Sequence, residues 1–150
     1  MLCTDGSESV VEALPTNLYL NGLEGSSVIR TGELIWGHAL VGTEDAQWNS
    51  GRKIDVVLGA DLTYDSAGFP ALISTFNELI GLNPEVKILI TATVRNERTF
   101  KRFVETCSKR GLVVKMMEWE VPHPGKQMGP FYDGAVPIRI CDIRREGEGG

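Results

Sequence analysis

Two kinds of apolar pattern alternate along this chain: short unbroken runs, and longer stretches with helical spacing. The clearest run is "DVVLGA", where Val56, Val57 and Leu58 are consecutive and apolar. Such a run suits a strand buried on both faces, as in a parallel sheet, and predicts a strand over residues 54–60. "MLCTD" predicts a short strand ending at Asp5, and "SSVIRTGELIW" another ending near Trp36. "EVKILITATV" reads as a further buried strand, and "LVVKMMEWEV" and "AVPIRICDI" as a final pair. Between them lie three helical patterns. In "SESVVEALPTNLYLN", Val10, Leu14 and Leu18 share one face, Ser9 and Glu12 offer a capping box, and Pro15 predicts a kink or break. In "FPALISTFNELIGL", Phe69, Leu72, Ile73, Phe76, Leu79 and Ile80 recur at helical spacing. The third pattern starts at Asn96, a predicted N-cap, and carries Phe100, Phe103, Val104 and Cys107 on its stripe. Lys109 and Arg110 are expected in its last turn, and Gly111 should stop it. Residues 37–53 are polar and irregular, a loop. Strand and helix in alternation imply βαβ units and an α/β fold.

Composition narrows the function classes. A chain of 150 residues suits one ordinary domain, and 42% hydrophobic with 23% charged residues is a globular balance. A net charge of −5 argues against a nucleic-acid partner. The pairs Lys101-Arg102 and Lys109-Arg110 fit a solvated helix face. Cys3, Cys107 and Cys141 are far apart, without CxxC spacing, so neither a disulfide framework nor a zinc site is expected. His38 and His123 also lack ligand partners at useful spacing, which predicts no metal. No run approaches the roughly 20 apolar residues that span a bilayer. A soluble, cytoplasmic protein with no membrane partner is expected.

The chemistry concentrates at strand ends, the edge of an open α/β sheet where ligands bind. Asp61 and Tyr64 follow the strand in "GADLTYD" and converge if the chain turns sharply. The plainer alternative is an aspartate capping the next helix beside a packed tyrosine, although Asp65 or Ser66 is better placed for that cap. Asp5 ends the first strand and could take both hydroxyls of a ribose, or serve as a turn or cap residue. Trp36 could stack on a purine or fill a core. The loop "PHPGKQMGPFYDG", residues 122–134, could contact a protein substrate or merely connect two strands.

In order, "CTDGSESVVEALPTNLYLNGL", "ELIWG", "GADLTYD" and "TATVRNERTFKRFVETCSKRGL" form a recognisable set. Over residues 1 to about 143 the chain resembles class I S-adenosylmethionine-dependent methyltransferases, and within them methyltransferase family 16, the non-histone protein-lysine methyltransferases. "TVRN" and "PFYD" look most like the branch that modifies elongation factor 2. The acid-x-x-Tyr motif after an apolar strand is fairly specific to family 16, whereas the strand-end aspartate belongs to the wider class.

The resemblance implies a Rossmann-like class I methyltransferase sheet, mostly parallel with a C-terminal antiparallel strand. It implies S-adenosyl-L-methionine as cofactor, with Asp5 at the ribose, Trp36 at the adenine and the Ala60 backbone along the methionine part. Asp61 and Tyr64 would form the mouth of the lysine channel, and elongation factor 2 would be the protein partner. The class also has a first strand, a glycine-rich cofactor loop and a helix before the aspartate-ending strand. No counterpart is found here, since Gly147, Gly149 and Gly150 follow no strand into a helix. The expected domain is therefore a partial one over 1–143, lacking the first strand and helix, with a flexible tail at 144–150. On this reading the isolated chain should not methylate. A non-catalytic protein-interaction module derived from such an enzyme is the alternative, and another nucleotide-binding α/β protein fits the motifs less well.

Overall fold

The computed structural model describes residues 1–40, 53–127, 132 and 134–147. Most of the expected loop at 37–53, part of the loop at 122–134 and the last three residues lie outside the described residues. The chain divides into two compact units, Met1–Arg52 and Lys53–Gly150.

The first unit is a single βαβ turn of chain: β1 (Leu2–Asp5), α1 (Glu8–Leu20) and β2 (Arg30–Glu33). The two strands pair in parallel, with Leu2 opposite Arg30 and Asp5 opposite Glu33. The Leu34 amide extends this ladder by donating to the Asp5 carbonyl at 2.9 Å.

Sequence expectation and structure differ here in four places. Val11, Leu14 and Leu18 make the half-buried face of α1, while Val10 is exposed. The N-cap is Ser7, so the capping box at Ser9 and Glu12 does not form. Ser9 already lies inside the helix, with its hydroxyl 3.0 Å from that of Ser7. Pro15 neither breaks nor ends α1, because it is exposed and solvent can satisfy the Val11 carbonyl that its missing N–H leaves. Finally, β2 ends at Glu33, and Trp36 sits in the turn beyond it.

The second unit holds β3 (Val56–Ala60), α2 (Phe69–Leu82), β4 (Lys87–Thr93), α3 (Glu97–Ser108), β5 (Leu112–Met117), a short 3-10 turn (Pro124–Lys126) and β6 (Ile138–Arg145). Its sheet has the order β3-β4-β6-β5. β3 and β4 are parallel, and β6 runs antiparallel to both its neighbours. The mixed sheet with one C-terminal antiparallel strand is thus the α/β architecture expected for this part of a class I methyltransferase. Pairing carries β6 through Arg144 and Arg145, two residues into the stretch that reads as tail.

Alternation explains which faces are buried. Ile88, Ile90 and Ala92 of β4 are fully buried, as are Cys141 and Ile143 of β6. The apolar stripes of α2 and α3 are buried with them, and Phe69 meets Phe103 edge-on with ring centroids 5.4 Å apart. Asn96 caps α3 as expected, its side chain accepting the amides of Arg98 at 2.9 Å and Thr99 at 3.2 Å. The helix ends at Ser108, so Lys109 is its C-cap and Arg110 lies beyond its last turn. Gly111 then takes a φ of 74°, a left-handed conformation that suits glycine at a helix stop. β3 is the outer strand of this sheet among the described residues, and Leu58 on it is 74% exposed.

Among the described residues no helix is long and apolar enough to cross a membrane, and no group of three metal-ligating side chains occurs. All three cysteines are free. Burial pushes the Cys107 thiol up to about 12, with the neighbouring Cys141 adding to the effect. Burial likewise pushes Cys141 up to about 11, against a small opposing pull from Arg139. A thiol-exchange reagent at neutral pH should therefore modify half-buried Cys3 first, leaving Cys107 and Cys141 until the chain unfolds. Three thiols reacting in one fast phase would contradict this core.

Candidate functional site

The turn after β3 is built by three local devices. Gly59 leaves room that a side chain would take: a Cβ there would stand 2.5 Å from Ile90 Cδ1 and from Leu62 Cδ1. Leu62 can thus fold back against β3. Asp61 adopts a φ of 56°, the left-handed region that aspartate tolerates better than most residues, and this reverses the chain sharply. The Asp61 amide also donates to the Thr91 carbonyl at 2.8 Å, tying the turn to β4.

β4 outlasts β3, since Ala60 lies opposite Thr91 and the strand runs on to Thr93. That overhang brings donors to the Asp61 carboxylate. The Thr93 amide donates to Oδ1 at 3.3 Å, and Arg95 Nη1 donates to Oδ2 at 2.8 Å. Partial burial alone would push the Asp61 carboxyl up. The Arg95 hydrogen bond, the Thr93 bonds and the Arg95 charge outweigh it, holding the group below its ordinary value. Asp61 is therefore an ionised strand-end acid engaged by β4 and the segment after it. The helix-cap alternative has no support in this geometry: the N-cap of α2 is Gly68, and Asp65 Oδ1 accepts the Ala67 amide at 2.9 Å. Tyr64, three residues along the turn, is 71% exposed. Ala60, Asp61 and Tyr64 thus share one strand end in the second unit.

In the first unit Asp5 closes β1, and its Oδ1 accepts the Ser7 amide at 2.9 Å ahead of α1. Trp36 lies just past the end of the neighbouring parallel strand and is half-buried. Asp5 and Trp36 therefore follow the ends of adjacent parallel strands.

One contact escaped the sequence reading. Arg95 belongs to the recognised "TVRN" stretch, but nothing local assigns it to a carboxylate 34 positions away. The stretch at 122–134 already reads as richer than a plain connector, and the described residues in and around it make specific contacts. The Tyr132 ring packs on Trp119 at 5.9 Å, and its hydroxyl donates to the Val136 carbonyl. Gln127 Oε1 accepts the Tyr132 amide at 2.8 Å, while Trp119 Nε1 donates to the Ile138 carbonyl at 3.1 Å.

A parallel βαβ unit ending in an acid, and a strand-turn ending in acid-x-x-Tyr beside a mixed sheet, define a class I methyltransferase architecture. The chain belongs to the lysine methyltransferase family, whose model matches residues 1–110. It is 51% identical over 145 residues to a Chaetomium thermophilum protein named protein-lysine N-methyltransferase EFM3, covering 97% of this chain and 43% of that one. A Saccharomyces cerevisiae protein of the same name is 33% identical over 154 residues, again covering 43% of its length. The chain thus spans less than half the length of these curated relatives.

Proposed function

We propose that this chain is a cytoplasmic protein-lysine N-methyltransferase, or the C-terminal part of one, that uses S-adenosyl-L-methionine and acts on elongation factor 2. The observation that carries the proposal is the Asp61 turn, in which an ionised carboxylate and an exposed phenol follow the outer strand β3. Val56 and Leu58 of that strand are exposed and not buried on both faces as their apolar run predicts. The cofactor would supply an electrophilic methyl group on a sulfonium. Asp5 would accept its ribose hydroxyls, Trp36 would lie against the adenine, and the Ala60 backbone would border its methionine part.

The acceptor amine must be neutral and in line with the methyl group, so positioning supplies much of the rate. Asp61 orients the amine, and Tyr64 offers a π-face and a hydroxyl at the channel mouth. The elongation factor 2 assignment draws on the "TVRN" and "PFYD" resemblance and on the acidic net charge, which disfavours polyanions.

The test uses a hybrid in which these 150 residues replace the matching 43% of the Chaetomium thermophilum relative. Offered labelled cofactor with elongation factor 2, histones and RNA, the hybrid should label elongation factor 2. Label confined to histones or RNA would overturn the substrate assignment. A second reading, a non-catalytic interaction module, draws on the exposed apolar residues Val56 and Leu58 of β3. A hybrid that binds elongation factor 2 without transferring methyl would favour it.

A further inference from the structure

We propose that Arg95 is a positioning residue for the acceptor lysine, screening the Asp61 carboxylate so that the incoming amine is oriented without being locked as ammonium. The inference rests on reading the Asp61 turn as the acceptor side.

The difficulty Arg95 resolves is electrostatic. A lysine ammonium has no lone pair and cannot take a methyl group. Its reference pKa is about 10.4, and a bare carboxylate beside it stabilises the ammonium and raises that value further. An acid that only attracted the lysine would therefore also disable it. Arg95 supplies the counter-charge directly, with Nη1 2.8 Å from Asp61 Oδ2. Guanidinium is the suitable cation, because it stays protonated at any pH at which lysine titrates. Asp61 Oδ1 also accepts the Thr93 amide, so the carboxylate is held from two sides.

The charged surroundings leave this task to Arg95. Arg139 of β6 is committed to Glu97 Oε1 at 2.8 Å and lies over the Phe100 ring at 4.8 Å. Lys87 and the Lys53–Asp55 pair stand at the opposite end of β3 and β4. Asp65, in the turn itself, turns one oxygen to the Ala67 amide. Arg95 is the cation that reaches Asp61 among the described residues.

Stability does not explain the pair. The Arg95 and Asp61 side chains are 60% and 38% exposed, and such surface ion pairs contribute little to folding. Yet Asp61 adopts a left-handed φ while holding this contact at the edge of the sheet. A surface contact so firmly specified, at the residue assigned to the acceptor amine, points to function.

The test is the pH dependence of kcat in the hybrid described above, with thermal melts as the fold control. The native hybrid should show a rising limb set by deprotonation of the acceptor lysine. Arg95→Gln should move that limb up by about one pH unit, since a unit charge at about 6 Å in a half-solvated site has that effect. The loss at neutral pH is then about tenfold and recovers as pH rises. Arg95→Lys should move the limb less than Arg95→Gln does, since its ammonium supplies the same charge until it too deprotonates. Adding Asp61→Asn to Arg95→Gln should return the limb toward its native position even though turnover stays low. An Arg95→Gln loss equal at every pH, an unmoved profile, or a double variant that keeps the shifted limb would overturn the inference while leaving the acceptor-site reading intact. A native hybrid that methylates no protein lysine would instead strike that reading, and the inference would fall with it.

Discussion

Phe103→Ala should lower the unfolding free energy by about 3–5 kcal/mol, because a truncated core phenylalanine loses both transfer energy and packing. Phe103 is fully buried on α3, 5.4 Å from the Phe69 ring of α2 and 6.3 Å from the Phe100 ring. It therefore joins the two helices that cover one face of the β3-β4-β6-β5 sheet. The surrounding residues come from long, regular elements that cannot collapse into the space without moving the sheet. A urea titration followed by circular dichroism would read the change as a lower midpoint at constant slope. A loss under about 1 kcal/mol would mean that this face is loosely packed, contrary to the burial seen here.

Asp61→Ala should reduce methyl transfer by about a hundredfold or more, the scale of losing orientation at a reacting centre. The measurement is steady-state turnover in the hybrid, alongside calorimetric titration of S-adenosyl-L-methionine. Asp61 and Tyr64 are assigned to the acceptor side, so Asp61→Ala, and more mildly Tyr64→Phe, should depress kcat while cofactor affinity changes little. Asp5→Ala should do the reverse and weaken cofactor binding first. If Asp61→Ala mainly abolished cofactor binding, the two roles would have to be exchanged. The Arg95 ion pair also sets a pH limit on this site. The Asp61 carboxyl is held below its ordinary value, so its contribution to folding is present above the unfolded pKa and fades only as acid protonates it through the lower folded value. Neutral and mildly acidic solutions should therefore leave the turn intact.

Much of this could be read from sequence because it depends on local periodicity. All six apolar positions expected on α2 are buried, and the helix occupies the expected residues 69–82. Asn96 announced α3 because its side chain competes for amides two and three residues ahead. The βαβ order also followed from alternating runs. What escaped depends on tertiary partners. Whether Val10 or Val11 turns inward is decided by the two-stranded sheet beside α1, and the one-residue difference rotates the helix face by about 100°. Trp36 reads as strand because its neighbours are apolar, but the last ladder bond of this strand is made by the Leu34 amide, and the chain turns beyond it. The site was half legible. Asp61 stood out as a charge after an apolar run, whereas its left-handed φ needed the space at Gly59, and its ion pair needed the overhang of β4. No spacing rule links residues 61 and 95; only the parallel register does.

In the proposed reaction the Asp61 turn presents a protein lysine to a methyl donor. The most direct measurement of this is residue-level analysis of the labelled product. The hybrid, supplied with methyl-labelled S-adenosyl-L-methionine and elongation factor 2, would be followed by complete hydrolysis of the protein and chromatography of its amino acids. Label should appear in methylated lysine, reduced about a hundredfold in the Asp61→Ala hybrid. Label in methylated arginine or histidine, or methyl-lysine formed equally well without Asp61, would contradict it.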